Sequence, residues 1–206
     1  MPARTDGECR IVELEPGGKV QYWPLFHPGL VKPDFIDHLH TELAWQQLPV
    51  RMFGREILQP RLTAYYGDDR IDYRYSGLKL TPRPWTRQLA WLREMLVEVT
   101  GLRFNSVLCN LYRDGRDYMG WHADDEPELG PAPVIASLSF GACRRFVFKP
   151  RSGASERHEF QLQTGSLLLM SGALQRHWLH QLPKAMRVQS PRINLTFRQI
   201  RKSGPE

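Results

Sequence analysis

The apolar positions change their spacing along the chain. In "KPDFIDHLHTELAWQQ", Phe35, Leu39 and Leu43 lie four apart behind Pro33 and Asp34, residues suited to a first helical turn, so a helix is expected there. After "LTPRP", Trp85, Leu89, Leu92, Leu96 and Val99 recur at steps of four, three, four and three until Gly101. This is a longer helix with one apolar stripe to lay against a sheet. Beyond it the spacing falls to two: "NSVLCNLY", "VIASLSF", "RRFVFK", "RHEFQLQ", "GSLLLM" and "RINLTFRQI" are short, β-rich and separated by turn residues. Helices followed by strands predict an α+β chain, mainly β, whose C-terminal half is a sandwich or small barrel.

The flanks lack these patterns. Residues 1–19 read as a partly flexible N-terminal arm and 201–206, "RKSGPE", as a frayed tail, leaving a single domain over 20–200. With 41% apolar and 24% charged residues the composition is that of a globular protein rather than a disordered one. The N-terminus has no apolar run of the secretory kind, and no stretch approaches the roughly 18 apolar residues of a membrane span. A soluble intracellular protein is expected, in the cytoplasm, or in the nucleus if the source is eukaryotic. Cys9, Cys109 and Cys143 lack metal-ligand spacing and read as free thiols in a reducing compartment. Lys and Arg outnumber Asp and Glu by 28 to 22, a formal charge of +6, which favours polyanionic partners without identifying one.

Candidate chemistry begins at "MGWHADDEPELGP". Residues two apart in an extended segment point the same way, so His122 and Asp124 can reach one ion; a solvated acidic turn would have the same letters. A third ligand would come from His177 or His180 in "QRHWLHQLP", which on a strand face opposite sides. Two histidines and a carboxylate form the facial set of non-haem Fe(II) oxygenases, and a zinc hydrolase can use the same three. What separates the two lies in "PRINLTFRQI". There Arg192, Asn194 and Arg198 share one face, and Ile193, Leu195 and Phe197 the other. Inward-pointing arginines are costly unless an anion meets them. At about 3.3 Å per residue the two arginine Cα atoms are roughly 20 Å apart, and side chains reaching in by roughly 6 Å each leave a gap of roughly 8 Å. A short dicarboxylate held by two guanidinium forks suits that gap. The plainer reading is two surface arginines on an edge strand.

Taken together, these segments resemble the AlkB family of Fe(II)- and 2-oxoglutarate-dependent dioxygenases. "NLYRDGRDYMGWHADDE", "IASLSFGACRRFVF", "GSLLLMSG", "HWLHQLP" and "PRINLTFRQI" stand in the family's order and spacing over about residues 48 to 200, closest to the DNA-repairing branch of homologues two and three. The resemblance implies a double-stranded β-helix, a cupin-like jelly roll with supporting N-terminal helices. It makes His122, Asp124 and His180 iron ligands, leaves His177 outside the ligand set, and sets 2-oxoglutarate against Asn110, Tyr112, Arg192, Asn194 and Arg198. It further implies use of O2 in oxidative demethylation of N-alkylated bases such as 1-methyladenine and 3-methylcytosine, with release of formaldehyde, succinate and CO2.

The same resemblance assigns "YYGDDRIDYRYSGL" to a nucleotide-recognition lid, within about 48–78. Tyr73 and Tyr75 would line the base pocket, Tyr75 opposite His122, and Asp125 and Glu126 would face the exocyclic amine. "VRMFGRE" resembles a hairpin that wedges Met52 and Phe53, beside Gly54, into the base stack, where an apolar insert offsets unstacking. Arg51, Arg55 and Arg61, with Lys149, Arg151, Lys184 and Arg187, are candidates for phosphate contacts. The loop "KAMRVQSP" has fewer basic residues than the family's duplex-gripping loop, and "KPRSGASERHE" is short, which weakens the expected hold on a complementary strand. DNA, single-stranded or duplex, is the expected partner, with RNA or a protein as alternative substrates, a non-enzymatic nucleic-acid-binding module as the lesser alternative, and a monomer as the expected state.

Overall fold

Alternation of inward and outward side chains produces two facing sheets. We describe a computed structural model covering residues 8–201 except 53, 54, 70, 72, 76 and 77; for 33, 50–52, 55, 73–75, 78 and 79 it describes the backbone alone. In chain order the strands and helices are β1 (Arg10–Leu14), β2 (Gly18–Trp23), α1 (Pro33–Glu42), β3 (Pro49–Met52), β4 (Arg55–Leu58), β5 (Leu62–Gly67), β6 (Tyr73–Tyr75), β7 (Leu78–Leu80) and α2 (Arg87–Thr100). Then follow β8 (Ser106–Tyr112), β9 (Met119–His122), β10 (Ile135–Gly141), β11 (Arg144–Pro150), β12 (His158–Leu162), β13 (Leu167–Gly172), the short α3 (Leu174–His177), β14 (Trp178–Leu182) and β15 (Arg192–Arg198).

The major sheet has seven strands in the order β1-β2-β13-β10-β15-β8-β5 and the minor sheet four in the order β12-β11-β14-β9. Their pairings are antiparallel throughout. Two facing antiparallel sheets with crossovers form the expected jelly roll. The hairpins β3–β4 and β6–β7 stand apart as small two-stranded units. The first hairpin falls in "VRMFGRE", and Phe53 and Gly54 lie outside the described residues.

The outer face of the major sheet is apolar and lies under the helices. Ile193, Leu195 and Phe197 join Leu39 and Leu43 and, from α2, Leu89, Leu92 and Leu96 in one buried cluster. Thr86 caps α2 by accepting from the Leu89 N–H, and Gly101, at φ 69°, closes it. The helix therefore starts after Trp85. That indole stacks on Phe197 instead, with centroids 6.3 Å apart. Between the sheets a second cluster, including Val20, Tyr22, Met170, Phe148, Phe160 and Trp178, fills the end beside β2 and β13. Under β15 and β8 the inner face is polar: Ser139, Asn194, Asn110 and Thr63 lie opposite one another in a row across β10, β15, β8 and β5.

The expectation of a loose arm over residues 1–19 is corrected for its described part; residues 1–7 lie outside the described residues. Residues 10–14 and 18–23 form a hairpin that extends the major sheet through β13. Val20 and Leu14 are almost fully buried there, so burial holds a segment whose composition looked free. Among the described residues no helix is long and apolar enough to cross a membrane.

Leu195→Ala removes a fully buried side chain from the helix-facing side of β15 and should cost about 2 to 5 kcal/mol. Denaturant unfolding of the two proteins measures it.

Candidate active site

The polar end of the sandwich holds a cavity whose walls include His122, Asp124, His180, Arg192, Asn194 and Arg198. His180 comes from β14 and His122 from β9, directly opposite in register. The pairing slips between them: Met119 sits opposite Leu182, so three steps along β9 match two along β14. This bulge puts Gly120 and Trp121 against one residue and aims His122 inward. The Gly120 carbonyl lies 2.8 Å from His122 Nδ1, which fixes the proton there and leaves Nε2 with the lone pair. Asp124 lies beyond the end of β9, where its backbone N–H donates to Gln175 Oε1 at 3.0 Å. Ligand atoms of His122, Asp124 and His180 come within 4.8 Å of one another.

Electrostatics prepares this set for a metal ion. Burial, reinforced by His122, drives the His180 pKa down to about 3. Phe146 and Phe148 pack beside it, with ring centroids 5.3 and 5.8 Å from the imidazole. Burial lowers His122 as well. For Asp124, burial favours the neutral acid, but Arg198, His180 and His122 outweigh it and hold the carboxyl below the usual range. Arg198 Nη2 is 3.0 Å from Asp124 Oδ1, both side chains being almost wholly buried. Two neutral imidazoles and an ionised carboxylate are the donors a divalent iron needs. His180 Nδ1 and Arg192 Nε are both buried without a hydrogen-bond partner among the described residues, as fits a site built around further polar groups.

The residues expected against the cosubstrate line the same cavity. Arg192 stands over the Tyr112 ring at 5.3 Å from its centroid and donates to Ser139 Oγ, and burial pulls its pKa down to about 10. Asn194 Nδ2 donates to Ser137 Oγ and the Leu138 carbonyl, and its Oδ1 accepts from Thr196. Arg61 needs correcting. Expected on a DNA phosphate, it is 3% exposed, and its Nε donates to Asn110 Oδ1 at 2.8 Å inside the cavity. Thr196, Ser137, Ser139 and Gln175 were also missed. Thr196 shares the alternation of β15 with Arg192, Asn194 and Arg198, and Ser137 and Ser139 are the polar alternates of "VIASLSF", whereas nothing local to Gln175 marked it.

Around the mouth, Asp125, expected to face the base, is half-exposed and forms an ion pair with Arg151 Nη2, which also donates to the Gln175 carbonyl. Glu126 is partly buried just after it. Lys149 lies 4.4 Å from the Trp121 ring centroid and Lys184 5.0 Å from that of Tyr118, so both cations rest on aromatic faces. Arg187 is exposed. The side chains of Arg51, Met52, Arg55, Tyr73 and Tyr75 lie outside the described residues. His177, the other candidate third ligand, ends α3 and is absent from the triad.

Residues 32–198 match the 2OG-Fe(II) oxygenase superfamily, and the chain belongs to it. Such enzymes use Fe(II), 2-oxoglutarate and O2, and the His-Asp-His triad is positioned to bind the iron. Within the superfamily the chain is an AlkB-type dioxygenase. It is 48% identical over 158 residues to the DNA oxidative demethylase ALKBH2 of Mus musculus, a match covering 73% of this chain and 66% of that one. It is 41% identical over 216 residues to the alpha-ketoglutarate-dependent dioxygenase alkB homolog 3 of Homo sapiens, covering 96% and 75%. The chain thus spans about two thirds to three quarters of the length of these relatives. The solved structure of OsALKBH1 shares the fold, with a TM-score of 0.62 at 17% identity over 92% of this chain and all of that one.

The lowered histidine pKa values set a pH dependence. A group kept neutral down to about 3 when folded but titrating near 6.5 when unfolded stabilises the fold fully above pH 6.5, and that stability is lost as the pH falls below it. The Asp124 contribution is present above its ordinary 3.8 and goes only below it, so the window between 6.5 and 4.5 isolates the histidines. Metal-free protein should show a falling Tm across that window, and His180→Gln should flatten the fall.

Proposed function

We propose that this protein is an oxidative demethylase that restores N-methylated bases in DNA. The observation that carries the reading is that the metal triad and the arginine strand β15 line one buried cavity, in a chain 48% identical to a DNA oxidative demethylase. When bound, iron with 2-oxoglutarate and O2 supplies the oxidation: one oxygen atom enters an N-methyl C–H bond, the other leaves in succinate with loss of CO2, and the hydroxymethyl group departs as formaldehyde. In this reading His122, Asp124 and His180 hold the iron. Arg192 and Arg198 take the two carboxylates of the cosubstrate, and Asn110, Tyr112 and Asn194 shape the wall between them. Arg198 has a double duty, because the guanidinium offered to a carboxylate already steadies Asp124. Phe146 and Phe148 exclude water from the His180 side.

Methylation of a pairing-edge nitrogen leaves the ring cationic and poorly paired, so it is cheaper to extrude than a normal base. Such a ring at the cavity mouth competes with Arg151 for the Asp125 carboxylate, while Tyr73 and Tyr75 offer aromatic faces to it. Glu126 takes the exocyclic amine. Met52 and Phe53, flanked by Arg51, Gly54 and Arg55, fill the gap left in a duplex. RNA carrying the same lesion is the second reading, since the chemistry reads the base rather than the sugar.

Incubation with Fe(II), 2-oxoglutarate and oligonucleotides carrying 1-methyladenine should release formaldehyde and restore adenine; turnover confined to RNA or to a methylated peptide would overturn the DNA assignment. Arg198→Lys keeps the charge but loses the fork, so the 2-oxoglutarate concentration needed for half-maximal rate should rise about tenfold or more. Phe53→Ala should slow repair of duplex more than of single strands, read from the ratio of the two rates.

A further inference from the structure

Arg144 is a buried arginine outside the cavity wall, 2% exposed at the start of β11. No carboxylate bonds to it among the described residues. Its Nη1 donates to the Asp114 carbonyl at 3.2 Å, and its Nη2 to the carbonyls of Asp117 at 2.9 Å and Pro183 at 2.8 Å. Its guanidinium carbon lies 5.9 Å from the Tyr112 ring centroid, and Arg192 stands over the same ring. One tyrosine wall of the cavity thus has a buried guanidinium from each of two strands. The Nε groups of both arginines lack hydrogen-bond partners among the described residues.

The carbonyls held by Arg144 belong to two segments that are themselves laced together. Gly115 N–H donates to the Val188 carbonyl at 2.8 Å, and Ala185 N–H to the Gly115 carbonyl at 2.8 Å. The approach is so close that a Cβ on Gly115 would fall 1.8 Å from the Ala185 oxygen. The first segment is braced within itself, Arg113 forking onto the buried Asp117 carboxylate. The second carries Lys184, Met186 and Arg187 out to solvent; Met186 is 63% exposed.

We propose that Arg144 is a positioning residue that couples the cosubstrate end of the cavity to the paired segments 113–118 and 183–188. A dicarboxylate whose distal carboxylate meets Arg192 neutralises one of two neighbouring buried cations, which strengthens the hold of the other on its carbonyls. By linkage, order in the two segments and affinity for the dicarboxylate then rise together. Tyr112, between the cations, is the shared contact. The inference rests on the 2-oxoglutarate reading of the cavity and is independent of which methylated substrate is used.

The test uses the full chain loaded with Mn(II) in place of iron, so that nothing turns over. Affinity for 2-oxoglutarate is measured by calorimetry, and amide hydrogen exchange of both segments is followed with and without it. In the wild type, 2-oxoglutarate should slow exchange in 113–118 and 183–188. Arg144→Lys, a point charge that cannot span three carbonyls, should weaken 2-oxoglutarate about tenfold and abolish that slowing while leaving Mn(II) affinity unchanged. Gly115→Ala, which opens the same seam from the other end without touching the cavity, should weaken 2-oxoglutarate in parallel and guards against an unfolded Arg144 variant. Unchanged affinity and protection in Arg144→Lys, or wild-type segments indifferent to 2-oxoglutarate, would overturn the coupling. A wild type that binds Mn(II) but no 2-oxoglutarate would overturn the cosubstrate reading, and this inference with it.

Discussion

The contact on which the site depends is the ion pair between Arg198 and Asp124, 3.0 Å long and almost entirely out of water. Its members come from different sheets: Arg198 closes β15, and Asp124 follows β9. A buried pair of this kind adds little net stability, but removing either partner strands the other. The pair therefore acts as a gauge of position. It keeps the carboxylate ionised against burial that would neutralise it, and it fixes the end of the arginine strand relative to the metal triad.

The two sheets divide their labour along the sandwich axis. Near β2 and β13 the space between them is filled with aliphatic and aromatic side chains, which closes the sandwich as an ordinary core does. Near β15, β8 and β5 the same interlayer space is lined with guanidinium, amide and hydroxyl groups bonded mostly to one another. Such a network specifies geometry when satisfied and is costly when it is not. The apolar end and the helix-backed outer face supply the cohesion that lets the polar end be built for chemistry.

Much of this was legible in the sequence because strand alternation is strict. Reading every second residue of β15 separates Arg192, Asn194 and Arg198 from Ile193, Leu195 and Phe197, and the structure keeps that division. Less legible were features set by distant pairing. The bulge that aims His122 exists only against β14, and Arg61 is buried because β5 pairs with β8. Arg61 thus looks like any cation near a basic hairpin until that partner is known. The N-terminal hairpin was overlooked for the opposite reason. "RIVEL" and "GKVQYW" do alternate, but they are short and lie on either side of a Pro-Gly turn in a polar stretch.

That hairpin bears on how the chain should be handled. Among the described residues β1 is the outermost strand at its end of the major sheet, and β2, behind it, bonds to β13 on its other side. Trimming the chain at residue 17, as its composition invites, would uncover the whole backbone edge of β2 with Val20 and Tyr22 along it. An unpaired strand edge of this sort is a template for pairing with another chain. A shortened protein of this kind would also lose Leu14 from the cluster between the sheets, and its edge-to-edge association would be an artefact of where the cut was made.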